Sequence, residues 1–238
     1  MVTEVNSIGR SSDMVESNLI TDILEGRMAP GSLLPPEREL AASLGVARTT
    51  LREAMGRLSR DGWLTVRKGQ PARVNDYWRE GNLNTLANIA QNTERFSQEF
   101  IIHLLEVRAA LAPAFIQGAV GRSAARVVAV LADSADLEES AGAFAIFDWE
   151  LQKKLALLSG NPIYPLIMNS FDSVYIRMAG QYFSSRDNRQ ASRRFYRRLL
   201  EASMASDAEG AGRVTKEAME ESISLWKSRP ATGQECIS

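Results

Sequence analysis

The chain has 238 residues, of which 45% are hydrophobic and 24% charged, with a formal net charge of −1. This composition is typical of a soluble globular protein that forms one large domain or two modest ones. The near-neutral total excludes a chain that is basic throughout, so any affinity for nucleic acid must come from a local concentration of charge.

The cysteine content and the hydropathy pattern indicate the cellular compartment. Cys236 is the single cysteine, so no intrachain disulfide can form and a reducing compartment is the simplest interpretation. No apolar run is long enough to span a bilayer, and the polar start "MVTEVNSIGRSSDMVESN" lacks the apolar segment of a signal peptide. We therefore expect a cytoplasmic protein with no membrane partner.

Two helices are predicted in the first part of the chain. Apolar residues recur at helical spacing from Asp13 to Arg27, and "MAPGSLLPPERE" then breaks the pattern. Pro36 suits the first position of a second helix, because the N–H that proline lacks has no partner there. This helix runs from about Glu37 to Leu44, and Gly45 follows where a left-handed residue ends a helix.

A third helix and a hairpin follow. The helix runs from about Ala47 or Thr49 to Arg60, and its apolar stripe comprises Leu51, Ala54, Met55 and Leu58. The dipeptide "DG" ends it. "WLTV" and "ARV" then alternate around "RKGQP", which predicts a small β-hairpin.

The remainder of the chain has helical patterning throughout. Apolar stripes continue from "FIIHLLEVRAALAPAFIQGAV" to "RVTKEAMEESISLWKS", without strand-like alternation, and indicate six or seven helices. We predict a domain of three helices and a hairpin at 1–75, a linker at 76–84, an all-helical domain at 85–230 and a disordered tail at 231–238.

Positive charge is concentrated in the first of these domains. Between Glu37 and Asn75 there are eight basic residues and four acidic ones, a local excess of +4 in a chain whose total is −1. This is the electrostatic pattern that a phosphate backbone requires.

The second and third helices, joined by a turn at Gly45, form a helix-turn-helix whose second helix can lie in a major groove. With the apolar stripe buried, Arg48, Thr49 and Arg52 fall on the outer face of the first turns. Arginine can bond guanine O6 and N7 together, and threonine can reach a phosphate or a thymine methyl group.

The hairpin tip, with Lys68 beside Gly69, would act as a wing against the minor groove or the phosphate backbone.

A simpler interpretation of the basic helix does not involve DNA. Basic helix faces are often only solvated, Glu53 and Arg57 form an ordinary i, i+4 pair, and Thr50 with Glu53 has the spacing of a capping box. The clustered charge together with the hairpin favours DNA binding.

The stretch "LPPERELAASLGVARTTLREAMGRLSRDGWLTV" resembles the winged helix-turn-helix of the GntR family of bacterial transcription regulators. The match is dense: proline, an acidic residue, Arg-Glu-Leu-Ala, Gly-Val, Arg-Thr-Thr, Arg-Glu-Ala, then Leu and Gly. The resemblance places Thr50 on the contact surface, which weakens the capping-box interpretation. It implies a DNA-contacting set of Arg38, Arg48, Thr49, Thr50, Arg52, Lys68 and Gly69.

Together with "VRKGQPARVNDYW" and "SGNPIY", the stretch is similar to the fatty-acid-responsive FadR branch in particular, from about the first helix to Trp226. The resemblance implies a mainly α protein, with a winged helix-turn-helix and an all-α helical-bundle effector domain. It also implies a homodimer that binds a palindromic operator in double-stranded DNA and controls fatty-acid degradation and synthesis genes. Long-chain acyl-CoA, rather than a cofactor, would release it, and the residues implied to line the effector cavity are Tyr175, Tyr182, Ser222 and Trp226.

Sensing through a metal is disfavoured by the residues themselves. Many relatives with this kind of helical domain bind a metal through an aspartate and several histidines. Here His103 is the single histidine, and Gln152, four residues after Asp148, stands where a histidine ligand would be expected.

Arg108, within "LLEVRAALA", needs an anionic partner if it is buried. The partner is either internal, Glu106 or Asp148, or the polar part of a ligand. A second hypothesis is therefore a GntR-type repressor that responds to a different small organic acid held by Arg108. An enzyme is disfavoured, because no nucleophile elbow, phosphate loop or metal set is visible.

The sequence departs from the branch pattern at two places. The expected wing is His-Gly-Lys, whereas this chain has Lys68-Gly69-Gln70, which leaves the operator preference at the wing open. Met219 stands where glycine is expected near the cavity, and a methionine there would narrow the pocket, change the chain-length preference or weaken acyl-CoA sensing.

Overall fold

The computed structural model describes residues 2–93 and 96–228, with the side chains of residues 2–10 and 173 left out. These residues form eleven helices and one two-stranded antiparallel sheet, in two compact units that divide near residue 94. None of the helices in the described ranges is long and apolar enough to cross a membrane. The predicted tail at 231–238 lies outside the described residues.

The first unit contains the predicted three helices and hairpin, followed by two short helices. Its elements are α1 (Val2–Leu24), α2 (Glu37–Ser43), α3 (Arg48–Arg60), β1 (Leu64–Thr65), β2 (Arg73–Val74), α4 (Tyr77–Glu80) and α5 (Leu83–Asn92). Pro36 is the N-cap of α2 rather than its first residue. Gly45 adopts the left-handed conformation expected of a residue that ends a helix, with φ of 65°.

The core of this unit forms where α3 meets the hairpin and α1. The predicted stripe of α3 is buried in full: Leu51, Ala54, Met55 and Leu58. In the hairpin, Leu64 is opposite Val74, and both side chains are buried together with Trp63. The interior thereby fixes which face of α3 remains outside.

The segment after the hairpin is helical and belongs to the first unit. α5 begins after Asn82, whose side chain accepts a hydrogen bond from the Asn84 N–H, while Thr85 Oγ1 accepts one from the Asn82 N–H. This capping box starts a helix where the sequence predicted the end of a linker. The bounds 1–75, 76–84 and 85–230 stay predictions, and in the structure residues 76–92 group with the first unit.

The second unit is a helical bundle. Its six helices in residues 96–228 are α6 (Gln98–Ala132), α7 (Ala141–Leu158), α8 (Ile163–Asn169), α9 (Asp172–Tyr182), α10 (Arg186–Met204) and α11 (Ala208–Lys227). The central helix, α6, packs against α7, α10 and α11 and is kinked at Ser123. The core includes Phe115, Ile116, Phe144, Leu155 and Leu199.

Candidate DNA-binding surface and effector site

The outer face of α3 carries the predicted base-reading residues. Arg48, Thr49 and Arg52 are exposed on the first two turns, and the side chains of the two arginines are 56% and 62% exposed. Arg38 is exposed on α2, the preceding helix. The structure therefore leaves all four side chains accessible to a partner.

A carboxylate of α2 lies between the two arginines of α3. Glu37 Oε2 accepts a hydrogen bond from Arg52 Nε at 2.7 Å and lies 3.7 Å from a terminal nitrogen of Arg48. Ion pairs with this much exposure contribute little stability, about 0–1 kcal/mol. Both guanidinium groups can therefore turn towards a base at small cost.

Thr50 differs from the other predicted residues of α3 in its burial. It lies four residues before Ala54, on the inner side of the helix, where it is only 5% exposed. The structure thus separates it from the exposed Arg48, Thr49 and Arg52, and its contact with DNA stays a prediction. The capping-box interpretation is wrong, because the N-cap residue of α3 is Ala47, whose methyl side chain cannot accept a hydrogen bond.

The wing lies at the tip of the hairpin. Lys68 and Gly69 are exposed, and the Gln70 N–H donates to the Arg67 carbonyl oxygen at 3.2 Å to close the turn. Gly69 has φ of 76° and open space around it, so its conformation rather than its packing requires glycine. A positively charged side chain and a backbone without a side chain are therefore adjacent at this tip.

In the second unit, four helices meet at a buried ion pair. A terminal nitrogen of Arg108 (α6) donates to Asp148 Oδ2 (α7) at 2.8 Å, and the Tyr196 hydroxyl (α10) donates to Asp148 Oδ1 at 2.8 Å. The Tyr175 hydroxyl (α9) also donates to Asp148. The side chain of Asp148 is 2% exposed and that of Arg108 18%. Of the two internal partners proposed for Arg108, the structure selects Asp148.

Burial and charge set the protonation of this Arg108–Asp148–tyrosine cluster. Burial opposes the charged form of Arg108, but Tyr175 and Asp148 raise the pKa of its guanidinium above the usual value. Burial raises the pKa of the Tyr175 and Tyr196 hydroxyls well above their usual value. Both tyrosines are therefore neutral donors, and the cluster contains one positive and one negative charge.

Two cavities border the cluster. The first is lined by all five predicted ligand residues: Arg108, Tyr175, Tyr182, Ser222 and Trp226. The second is lined by Arg108, Tyr175 and mainly apolar side chains, among them Leu104, Phe115, Trp149 and Phe171. The structure thus brings the predicted ligand residues together around one space.

Two polar groups at this site can form further hydrogen bonds. Arg108 Nε is buried and has no hydrogen-bond partner among the described residues. The Ser222 hydroxyl donates to the Met219 carbonyl oxygen at 2.7 Å, which leaves its lone pairs free to accept. Met219 is 3% exposed within the hydrophobic core and is not among the described residues that line either cavity. No group of three or more potential metal ligands occurs in the described part of the chain.

Each of the two units matches a known protein family. Residues 11–74 match the family described as bacterial regulatory proteins, gntR family, and residues 75–232 match the FadR C-terminal domain. The second match covers more than half of the chain. The chain belongs to the FadR family of GntR regulators.

The relatives of this FadR-family chain extend over most of its length. It is 42% identical over 195 residues to the fatty acid metabolism regulator protein of Shewanella halifaxensis, covering 82% of this chain and 81% of that protein. It is 40% identical over 211 residues to the protein of the same name from Edwardsiella ictaluri, covering 89% and 88%. These relatives are transcription regulators rather than enzymes.

A solved structure resembles the FadR-family chain in fold. The structure of Lar, which controls the expression of the Listeria monocytogenes agr system, aligns with a TM-score of 0.59 and 17% identity. It covers 91% of this chain and 96% of that one. At this identity the likeness shows the fold alone.

Sequence reasoning missed one member of the buried cluster. Tyr196 is 1% exposed, and its partner Asp148 lies 48 residues away in the chain, so no local pattern connects the two residues. A buried tyrosine hydroxyl usually has a hydrogen-bond partner, but sequence spacing does not reveal which one.

Proposed function

We propose that this FadR-family protein regulates genes of fatty-acid metabolism, as the names of its relatives suggest, by binding a palindromic operator as a homodimer. Long-chain acyl-CoA, bound in the second unit, would release it from the DNA. The observation that carries this proposal is the buried Arg108–Asp148–tyrosine cluster, which has a largely apolar cavity beside it.

Support for operator binding comes from the outer face of α3. Arg48 and Arg52 would read guanine in the major groove, and Thr49 and Arg38 would contact phosphates or base edges. Lys68 and Gly69 would lie against the minor groove or the backbone. In a homodimer, two such helices related by a two-fold axis require closely spaced half-sites.

Support for an acyl-CoA ligand comes from the combination of apolar space and one polar cluster. Burying methylene groups contributes roughly 0.8 kcal/mol each, so a long acyl chain would gain on the order of 10 kcal/mol before entropic losses. Arg108 Nε, which lacks a partner, could donate to a carbonyl oxygen near the thioester. The Ser222 hydroxyl could accept from an amide N–H of the CoA arm.

Release from DNA would follow from a change in the cluster. A ligand that draws Arg108 away leaves Asp148 buried without its counter-charge, which is costly unless the helices rearrange. The four residues of the cluster lie on α6, α7, α9 and α10, so one ligand contact would affect the packing of four helices. Such a rearrangement would change the separation of the two DNA-binding units in a dimer.

A small organic acid held by Arg108 is the second candidate. It would have to compete with Asp148 for the guanidinium, and it would leave the apolar cavity beside it empty. Calorimetric titration separates the candidates. We expect binding of oleoyl-CoA and no heat from short carboxylates, whereas the reverse result would overturn the acyl-CoA proposal.

The complete proposal is tested by a gel-shift experiment on the protein's own promoter region. We expect a specific complex that disappears on addition of oleoyl-CoA and persists with free CoA. A complex that is insensitive to acyl-CoAs of every chain length would contradict the proposed release.

A further inference from the structure

The C-terminal end of α3 is tied to α5 by an unusual concentration of hydrogen bonds. Asp61, the C-cap residue of α3, is 4% exposed. Its carboxylate accepts from Asn84 Nδ2 at 3.1 Å and from Asn88 Nδ2 at 3.3 Å, and both amides belong to α5. Arg60 Nε donates to the same carboxylate at 2.8 Å.

The main chain at the end of α3 takes part as well. The Thr85 hydroxyl donates to the Asp61 carbonyl oxygen, and Asn82 Nδ2 donates to the Arg60 carbonyl oxygen at 3.2 Å. Both carbonyl groups belong to the last turn of a helix, where no partner within the helix is available. α5 therefore caps the helix that is proposed to read DNA.

A close approach of two backbones holds the same joint together. Gly62 has φ of 85°, and a Cβ atom there would lie 2.8 Å from the Gly81 Cα and 2.9 Å from the Glu80 carbonyl oxygen. The backbones can approach this closely because Gly62 has no side chain, whereas a Cβ on Gly81 would meet the Tyr77 carbonyl oxygen and the Thr85 side chain. The segment between the hairpin and α5 thus cannot slide along the end of α3 without breaking several contacts at once.

From this geometry we propose that Asp61 is a positioning residue that makes α3 and α5 one rigid body. α5 ends at Asn92 and is the last helix before the chain enters the second unit, whose first helix begins at Gln98. A movement delivered along the chain to α5 is then passed to α3 instead of being absorbed by a loose linker. The proposal rests on the proposed release of DNA by acyl-CoA and names the residues that transmit it.

The variant that tests this combines Asn84→Ala and Asn88→Ala in the full-length protein. It removes both amide donors from Asp61 and leaves the charge, the glycines and the α3 surface unchanged. The matched control is Glu16→Gln, which disrupts an ion pair between α1 and Arg57 of α3 without touching α5. Asp61→Asn, which changes the net charge by the same amount as the control, is the second test.

Operator affinity is measured with and without saturating oleoyl-CoA, and oleoyl-CoA affinity is measured separately. For the unaltered protein and for Glu16→Gln we expect the ligand to weaken operator binding by roughly 5–150-fold, the usual range of coupling between sites. For the double variant and for Asp61→Asn we expect oleoyl-CoA to weaken operator binding by less than about threefold. The operator affinity without ligand and the oleoyl-CoA affinity without DNA should both be retained. Because coupling is reciprocal, DNA should then no longer weaken oleoyl-CoA binding to these variants.

Two results would overturn the inference. One is a full ligand response in both the double variant and Asp61→Asn, which would show that the joint only stabilises the fold. The other is an equal loss of response in Glu16→Gln, which would assign the effect to general weakening of the first unit. Failure of oleoyl-CoA to release even the unaltered protein would overturn the proposed function together with this inference.

Discussion

Replacing Asp148 with asparagine tests the energetic role of the buried cluster. The carboxylate accepts hydrogen bonds from Arg108, Tyr175 and Tyr196, and its side chain is 2% exposed. An asparagine of the same size has one oxygen to accept from three donors, and its amide group carries no charge to balance the guanidinium. The variant therefore leaves Arg108 as an uncompensated buried cation.

The expected cost follows from this geometry. Removing one partner of a buried ion pair destabilises a protein by about 3–5 kcal/mol. Since the Arg108 side chain is 18% exposed and the amide oxygen still accepts one bond, we expect a loss near the lower end, about 3 kcal/mol. Such a loss corresponds to an increase of about a hundredfold in the population of the unfolded form of this unit.

Hydrogen exchange of the core amides of α6 and α7 is the suitable assay, because it reports on the second unit by itself. The matched control is Glu217→Gln in the same unit. Glu217 pairs with Arg198, its side chain is 58% exposed, and its loss should cost less than about 1 kcal/mol.

Equal effects of the two variants would refute the reasoning. So would a further loss of stability in the double variant Arg108→Met with Asp148→Asn. This double variant should recover much of the loss, because it removes the uncompensated cation and keeps an amide oxygen that can accept from a tyrosine hydroxyl.

Three further predictions concern the first unit. Arg48→Ala and Arg52→Ala should each weaken operator binding by about 1–3 kcal/mol in fluorescence anisotropy, with less effect on random DNA, because arginine reads guanine through two bonds. Gly62→Ala should destabilise the first unit by more than about 1 kcal/mol in thermal unfolding, because φ is positive and Gly81 leaves no room for Cβ. Acid should destabilise this unit through Asp61: although burial opposes the charge, hydrogen bonds from Arg60, Asn84 and Asn88 lower the pKa of its carboxyl below 3.8. The stabilisation is complete above pH 3.8 and is lost as pH falls through the lowered pKa, so Asp61→Asn should unfold with a shallower pH dependence below pH 4.

Each of these predictions has a result that would contradict it. Equal weakening on operator and random DNA would show that an arginine only contacts phosphates. An unchanged melting temperature in Gly62→Ala would mean that the backbone at the joint can yield. Parallel acid-unfolding curves for the Asp61→Asn variant and the unaltered protein would mean that the hydrogen bonds of Asp61 do not favour its charged form.

Local signals made the helix-turn-helix predictable. Gly45, the apolar stripe of α3 and the alternation around the wing depend on residues a few positions apart, and the structure confirms each of them. The inclusion of Thr50 in the DNA-contacting set came from the family resemblance and not from the helical periodicity. Thr50 lies four residues before Ala54, and residues with this spacing share one face of a helix, so the apolar stripe itself indicates that Thr50 is buried.

Long-range partners were predictable only as alternatives or not at all. Arg108 was expected to pair with Glu106, Asp148 or a ligand, and the choice among them depended on the packing of α7 against α6. The contact between Asp61 and α5 joins residues more than twenty positions apart and has no sequence pattern. Asn84 falls in the predicted linker at 76–84 and Asn88 in the predicted all-helical domain, so neither was expected to contact the first domain.

The kink at Ser123 divides α6 into two segments. Arg108 lies ten residues after Gln98, about 15 Å along the axis, in the part of α6 that precedes both Pro113 and Ser123. From Gln98 to Ala112 no proline interrupts the backbone hydrogen bonds of this helix, so under the proposed release a tilt at Arg108 would also move the first residues of α6. The part of α6 beyond Ser123 would then stay packed in the bundle, and the two parts of one helix would have different roles: one would move with the ligand and the other would hold the fold.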